Sequence, residues 1–401
     1  MRMHRCWILL LTCLCLHAAG AGAGVDKARL GQIGARMQSF VDQKMVAGVV
    51  TLVAHNGEVV HLNAVGQQNV EEKKAMAPDS IFQIMSMTKP VTGVAVMMLA
   101  EEGRLSVADP VERHLPEFKN LMIRDASGAM LKPKRVITVR DLMTHTSGMQ
   151  ANPSGTLYED AFQKMKIPLG DAVRLYAQTP LDFEPGAKWQ YSNMGLATLG
   201  RLVEVASGMS YEQFVEQRIF TPLGMKDSHF YLPAAKHSRL AMIYQGGNGA
   251  LARSDPKTLL AGDPAIYRRE SKYPAPEFGM YSTATDLAAF YTMMLNQGLY
   301  KGKRLLSKAA VETMTALHTG DLPAASSGAG FGLTWEVVRD PMAMLTLRGA
   351  GTFGHGGAFG TYGWVDPKKR IVGVYLVQST GGGSTYARDS FITMTNASVL
   401  D

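Results

Sequence analysis

Beyond position 15 the chain contains no cysteine; Cys6, Cys13 and Cys15 are the only three in its 401 residues. A mature chain that lacks them can form no disulfide, no thiolate metal site and no thiol nucleophile, so its stability has to come from a packed core. Nor is there, past the N-terminus, an apolar run approaching the ~20 residues that cross a bilayer. Dense basic runs are missing as well. The 41 Lys and Arg against 34 Asp and Glu leave a scattered net charge of +7, which argues against nucleic acid as a partner. G-x-x-x-x-G-K-[ST], H-E-x-x-H, zinc-type His/Asp clusters and G-x-S-x-G are all absent, which removes the phosphate-binding loop, the zinc-hydrolase helix and the α/β-hydrolase elbow. The chemistry left requires no metal and no organic cofactor. What is present, 46% hydrophobic and 19% charged residues, is the balance of a soluble globular protein organised as one large domain or two intimate lobes.

The first residues read as an export signal. Arg2 and Arg5 precede a short apolar stretch, Trp7 to Leu16, and "AAGAGAG" offers small residues with cleavage expected after Ala23. Cys13, behind Leu10-Leu11-Thr12, fits a lipoprotein acceptor poorly because the residue before it is not small enough. Residues 1–23 are therefore read as a signal peptide and the protein as exported, periplasmic or secreted.

Leu30, Ile33, Met37 and Val41 lie at helical spacing and predict a helix over Ala28 to Met45. Val49 to Ala54 and Glu58 to Val65 are β-rich and separated by Asn56-Gly57, a hairpin signal because both positions tolerate positive φ. The texture returns near the C-terminus in "FGLTWEVV" and "YGWVDPKKRIVGVYLVQ", with the stretch between them also read as strand. Ile371 to Val377 is apolar enough for a central strand, and a last helix is expected from about Tyr386 to Val399. Between these ends the pattern is helical, as in "MGLATLGRLVEVASG", which closes on Gly208, a C-cap residue. The fold class that follows is α/β: an antiparallel sheet flanked by helices, built from 24–83 and 274–401, with a mainly helical lobe inserted over 84–273 and a ligand site at the seam.

Three short segments carry the chemistry. "SMTKP" places Ser86 and Lys89 three apart at the start of an apolar helical stripe, so the amine and the hydroxyl are neighbours on one helix face. A lysine kept neutral by burial can take a serine's proton. S-x-x-K arises about once by chance in a chain of this composition; a second match, Ser254 to Lys257, lies in a Pro-rich loop with no helix to hold the pair. "WQYSNMG" supplies the single Tyr-x-Asn, in which Tyr191 and Asn193 face the same way if the chain is extended. Tyr191 as phenol or phenolate could relay a proton, and Asn193 could hold Lys89 or the substrate. Standing alone, Tyr191 is better accounted for as a buried phenol before a helix and Asn193 as an N-cap. "GHGGAFG" brings His355, Gly356, Gly357 and Ala358 before a strand, where the glycines allow a ligand close to the backbone; standing alone, the segment is accounted for about equally well by a bulge at a sheet edge.

Taken in this order, the segments resemble the serine β-lactamase and penicillin-binding-protein superfamily, and most closely its class C-like branch with the family VIII carboxylesterases and D-alanyl-D-alanine carboxypeptidases. "SMTKPVTGVAVMMLAEEGRLSVADPVERHLPEF", "DLMTHTSGM", "FEPGAKWQYSN", "PLGMKDSHF" and "GMYSTATDLAAF" carry the resemblance across nearly the whole mature chain. It implies a β-lactamase-like fold and acylation of Ser86, with Lys89 and Tyr191 sharing the general-base work. It also implies that Asn193 serves as the Tyr-x-Asn asparagine and that His355, Gly356 and Gly357 stand where relatives have Lys-Thr-Gly. The backbone N–H groups of Ser86 and Ala358 would hold the oxyanion. His355 and Gly356 depart from the pattern: a neutral imidazole supplies no fixed charge and a glycine no hydroxyl for an antibiotic's carboxylate. The expected activity is thus hydrolysis of a small-molecule carboxylic ester through an acyl-enzyme. The competing readings are a β-lactamase or carboxypeptidase-type amide hydrolase and a penicillin-binding receptor without turnover.

Overall fold

The computed structural model describes residues 24–400 apart from 126, 248, 256, 258, 261–269 and 325. Residues 1–23, read above as a signal peptide and holding all three cysteines, lie outside the described residues, as does part of the loop from Gly246 to Pro276. Among the described residues no helix is long and apolar enough to cross a membrane.

Eight strands form the main sheet: β1 (Gly48–His55), β2 (Glu58–Asn69), β3 (Lys74–Ala75), β4 (Ala329–Phe331), β5 (Glu336–Val338), β6 (Phe353–Gly356), β7 (Tyr362–Asp366) and β8 (Ile371–Val377). Their order is β4-β5-β6-β7-β8-β1-β2-β3, and every pairing is antiparallel. The two ends of the chain thus meet in one sheet, with β1 against β8 from Val49↔Val377 to His55↔Ile371. Asn56 (φ 54°) and Gly57 (φ 87°) close the β1–β2 hairpin in the left-handed geometry that their sequence announced.

Both faces of β1 and β8 are buried, which explains runs of apolar residues without polar alternation. Val50 and Leu52 with Val374 and Leu376 point into the larger core; Val49 and Val53 with Ile371 and Tyr375 point into the smaller one. The smaller core is roofed by α1 (Lys27–Asp42) and by a last helix that runs from Gly383 to Ala397, three residues earlier than its apolar spacing suggested because the glycines before Tyr386 read as loop. The larger core continues without a break through Val91 and Val94 of α2 (Lys89–Glu101) to Leu142 of α3 (Val139–Met143). From there it reaches Leu196 and Leu199 of α4 (Asn193–Ser207) and Leu287 of α5 (Ala284–Leu295). α4 ends on Gly208 at φ 75°, whose N–H reaches the Glu204 carbonyl at 2.9 Å.

Two C-terminal expectations need correction. "FGLTWEVV" is not one strand but the hairpin β4–β5, turned where the Gly332 N–H donates to the Trp335 carbonyl (2.9 Å) and Thr334 adopts φ 69°. The stretch from Arg339 to Thr352 holds a short helical turn, Pro341–Met344, rather than strand.

The β4–β5 turn also locks α2. A Cβ on Gly93, in the middle of α2, would lie 2.0 Å from Thr334 Oγ1 and 3.0 Å from Thr334 Cβ. Thr334 is β-branched, and its N–H is tied to the Met143 carbonyl at 2.8 Å, so it has little room to yield. Gly93→Ala should therefore lower stability by about 1–3 kcal/mol through overpacking, although alanine is the better helix former by about 1 kcal/mol. Urea unfolding of the two proteins reads the sign; a gain in stability would mean the helix is free to shift.

Candidate active site

Ser86 sits on a 3₁₀ turn, Met85–Thr88, that leads directly into α2 at Lys89. From Ser80 to Leu99 every residue is buried except Ser86. The turn is held in an uncomfortable shape. Met85 has φ 53°, a left-handed conformation that costs a side chain about 1–2 kcal/mol. Thr88 pins it, its hydroxyl donating to the Met85 carbonyl (2.7 Å) and accepting from the Met280 N–H (3.1 Å). Pro90 falls in the first turn of α2, where its missing N–H breaks no helical bond.

Lys89 is wholly buried. Its Nζ lies 2.9 Å from Ser86 Oγ, 2.8 Å from Asn193 Oδ1 and 2.7 Å from the Glu277 main-chain oxygen. Burial without enough compensating charge pulls the amine down from the usual lysine range to about 7, with the Glu277 carboxylate acting in the opposite sense. The contacts orient the neutral amine. A neutral amine has two hydrogens and one lone pair, while a carbonyl or amide oxygen can only accept. The Asn193 oxygen is identified by the other end of its amide, whose Nδ2 donates to Asn152 Oδ1 at 2.7 Å. Both hydrogens are therefore directed to Asn193 and Glu277, and the lone pair faces the one partner able to donate, the Ser86 hydroxyl.

Tyr191 contacts Ser86 from the other side, phenol to hydroxyl, and its ring centre is 4.7 Å from Lys89 Nζ. Burial pushes the phenol well up, against the pull of its hydrogen bond to Ser86, so it stays protonated. Of the two forms open to sequence reasoning, the phenol is the one this environment keeps. Ser192 is extended (φ −129°, ψ 111°), which turns Tyr191 and Asn193 to the same side. The cap of α4 is Ser192 rather than Asn193: its hydroxyl accepts from the Gly195 N–H at 2.9 Å, which leaves the Asn193 side chain free to face Lys89.

The third segment arrives on β6. Gly357 lies against the backbone before Ser86: a Cβ there would be 2.3 Å from the Ile84 carbonyl oxygen, and Thr361 Oγ1 donates to that same oxygen at 3.0 Å. Gly357 and the exposed Ala358 are thus set beside the Ser86 turn, and a side chain at position 357 would push them away. β6 lies between β5 and β7, so the glycines do not mark a sheet edge. His355 is buried, and its Nδ1 donates to the Gly356 carbonyl at 2.8 Å, which leaves Nε2 as an acceptor. Burial, with Lys89 nearby, pushes its pKa down to about 3, so the ring is neutral.

Sequence reasoning missed three contributors. The Glu277 carbonyl is main chain and carries no residue-type signal; its loop is braced where Tyr273 Oη donates to Glu277 Oε1 at 2.8 Å. Asn152 is one of many loop asparagines until Asn193 reaches it. The third is an aromatic wall: Trp189, Phe331 and His145 pack around Tyr191 and His355, with His145 closest at 4.4 Å between ring centres. Among the described residues no three His, Cys, Asp or Glu side chains gather as a metal site.

Known proteins share this arrangement of chain. The family model described as Beta-lactamase matches residues 33–393. Esterase EstB of Burkholderia gladioli is 31% identical over 371 residues, 87% of this chain and 91% of that protein. Protein Rv1367c of Mycobacterium tuberculosis is 32% identical over 368 residues, 86% of this chain and 88% of that one. Among solved structures, EstCE1, described as a hydrolase with promiscuous acyltransferase activity, superposes with a TM-score of 0.77 at 25% identity, covering 92% of this chain and 99% of its own. Matched across almost its whole described length, and with a mixed sheet-and-helix fold to fit, this chain belongs to the Beta-lactamase family of serine hydrolases.

Proposed function

We propose that the protein is an exported serine carboxylesterase that acts through an acyl-enzyme on Ser86, at the seam between the sheet and the inserted helices. The observation that carries the reading is the buried Lys89 amine 2.9 Å from Ser86 Oγ, with its two other contacts made to pure acceptors. Lys89 takes the Ser86 proton as Oγ bonds to the ester carbonyl carbon. The oxyanion is held by the Ser86 and Ala358 N–H groups. As the C–O bond to the alcohol breaks, the Tyr191 phenol gives its proton to the departing oxygen and regains one from the Lys89 ammonium. Water then adds to the acyl carbon and loses its proton by the same route in reverse, and Ser86 leaves as the hydroxyl. Asn193 keeps the Lys89 lone pair on target.

His355 supports an ester over a β-lactam or a peptide terminus. Its ring is neutral and its one N–H is committed to the Gly356 carbonyl, so it offers neither charge nor donor to a substrate carboxylate. The name of the relative Esterase EstB points the same way, and EstCE1 is described as a hydrolase with acyltransferase activity.

Two expected outcomes follow from the site. A p-nitrophenyl phosphonate ester should add one adduct mass to the protein and none to Ser86→Ala; persistent labelling of the variant would move the nucleophile elsewhere. The wild type should turn over p-nitrophenyl acyl esters at a steady rate and a chromogenic cephalosporin far more slowly. A single burst without turnover would indicate a receptor, and preference for the cephalosporin an amide hydrolase.

The pH dependence has a definite sign. Below about 7 Lys89 carries its proton and has no lone pair to offer, so the acylation rate should fall tenfold for each pH unit below that value and level off above it. The raised phenol predicts no descending limb from Tyr191 up to about pH 10, the ordinary tyrosine value. Lys89→Ala should cost about 10²–10⁴ in kcat/KM and abolish the ascending limb. A limb that survives in that variant would assign the base to another group.

A further inference from the structure

Residues Gln190 to Ser192 belong to no strand or helix, yet the phenol between them has to meet the reacting atoms within a fraction of an ångström. No ladder of hydrogen bonds holds them, so something else must. His145 touches all three. Its main-chain oxygen accepts from the Gln190 N–H at 2.9 Å, its ring lies against the Tyr191 ring at 4.4 Å between centres and 30° between planes, and its Nδ1 accepts from the Ser192 N–H at 3.1 Å. We propose that His145 is a positioning residue that clamps Tyr191 from three directions and so sets where the phenol delivers its proton; the proposal rests on the acid role given to Tyr191 above.

Several features separate this from ordinary packing. His145 sits at φ 60°, in the left-handed region that few residues other than glycine enter and that histidine, like asparagine, tolerates better than most. The ring is fixed in one tautomer. Since Nδ1 accepts, the ring proton is on Nε2, and protonation of Nδ1 would put two donors face to face at Ser192. Phe331 and Trp189 stand edge-on to the ring at 5.2 and 5.9 Å, which leaves it no room to rotate. Beyond the clamp, the residues that follow His145 tie down those that follow Tyr191: Ser192 Oγ donates to the Gln150 carbonyl (2.7 Å) and the Asn193 N–H to that of Ala151 (2.8 Å). Tyr191 and Asn193, the two groups flanking Lys89, are thereby registered on one loop that starts at His145.

Leaving-group dependence distinguishes positioning from bulk stability. A p-nitrophenolate departs with little help, whereas an ethoxide needs the phenol's proton. His145→Phe keeps a ring and removes the acceptor; His145→Asn keeps an acceptor, tolerates the left-handed backbone and removes the ring. Each should lower kcat/KM for an ethyl ester by about 10–10²-fold, the cost of a misplacement near 1 Å, and for the matching p-nitrophenyl ester by only a few-fold. In a Tyr191→Phe background the same substitutions should change the ethyl ester rate by less than about twofold, because a residue acting through Tyr191 has nothing left to act on. Equal losses on both esters, or losses that multiply in the double variant, overturn the proposal and leave the Tyr191 role standing. If Tyr191→Phe by itself spares the ethyl ester, the acid role fails and the proposal falls with it. The ¹⁵N spectrum of wild-type imidazoles gives a readout that does not depend on how the variants fold: a buried ring protonated on Nε2 is expected for His145, and protonation on Nδ1 overturns the clamp.

Discussion

Everything at this site depends on keeping one lysine dry. An ammonium moved out of water loses several kcal/mol of hydration unless partners replace it, and Lys89 is offered two acceptors and a hydroxyl instead. The protein answers that shortage by weakening the amine's hold on its proton, and on the proposed mechanism the same shortage creates the base. Asn193 and the Glu277 carbonyl do more than fill the amine's hydrogen-bond capacity. Because both can only accept, they leave the lone pair a single direction, toward Ser86. Activation and aim come from one set of contacts.

Holding that arrangement requires strain in several places, and the strain lies near the chemistry. Met85 and His145, both bulky and both at positive φ, stand next to the nucleophile and behind the phenol. Each is over-determined by neighbours: Met85 by Thr88 and Met280, His145 by Phe331, Trp189 and the Ser192 N–H. Gly93 and Gly357 serve the same end through absence, since a methyl at either position would lift α2 off the β4–β5 turn or the strand tail off Ile84. A continuous core beneath α2, α4 and the sheet supplies the rigidity that makes such local costs tolerable.

What could be read in the residues divides by the range of the interaction. Asn56-Gly57, Gly208 and the apolar run Ile371–Val377 declared themselves because turn chemistry, caps and burial on both faces act within a few positions. Ser86, Lys89, Tyr191 and Asn193 were legible as pairs with helix or strand spacing, and the family pattern joined them; their convergence depends on packing that no local spacing encodes. Thr334 hid the β4–β5 turn because a β-branched residue at positive φ imitates strand. The Glu277 carbonyl has no side-chain signature at all. His145 lies in a loop and carries no local signal of a role; its two acceptors and its ring fall on consecutive residues of another loop, a placement set by packing alone.

The histidine on β6 then acquires an electrostatic meaning. A lysine at position 355 would put a second cation near Lys89, and like charge would help depress the base. The neutral His355 gives no such help, and the Glu277 carboxylate works against it, so desolvation alone carries Lys89 down to about 7. A base tuned only by dryness is sensitive to whatever lets water in. On the proposed mechanism, an apolar acyl group at Ser86 would keep the amine dry and the lone pair available, whereas a charged substrate would bring its hydration with it and return Lys89 toward the ammonium. The preference for neutral esters proposed above would then belong to the base itself as much as to the pocket, because the substrate that best excludes water would also meet the most reactive serine.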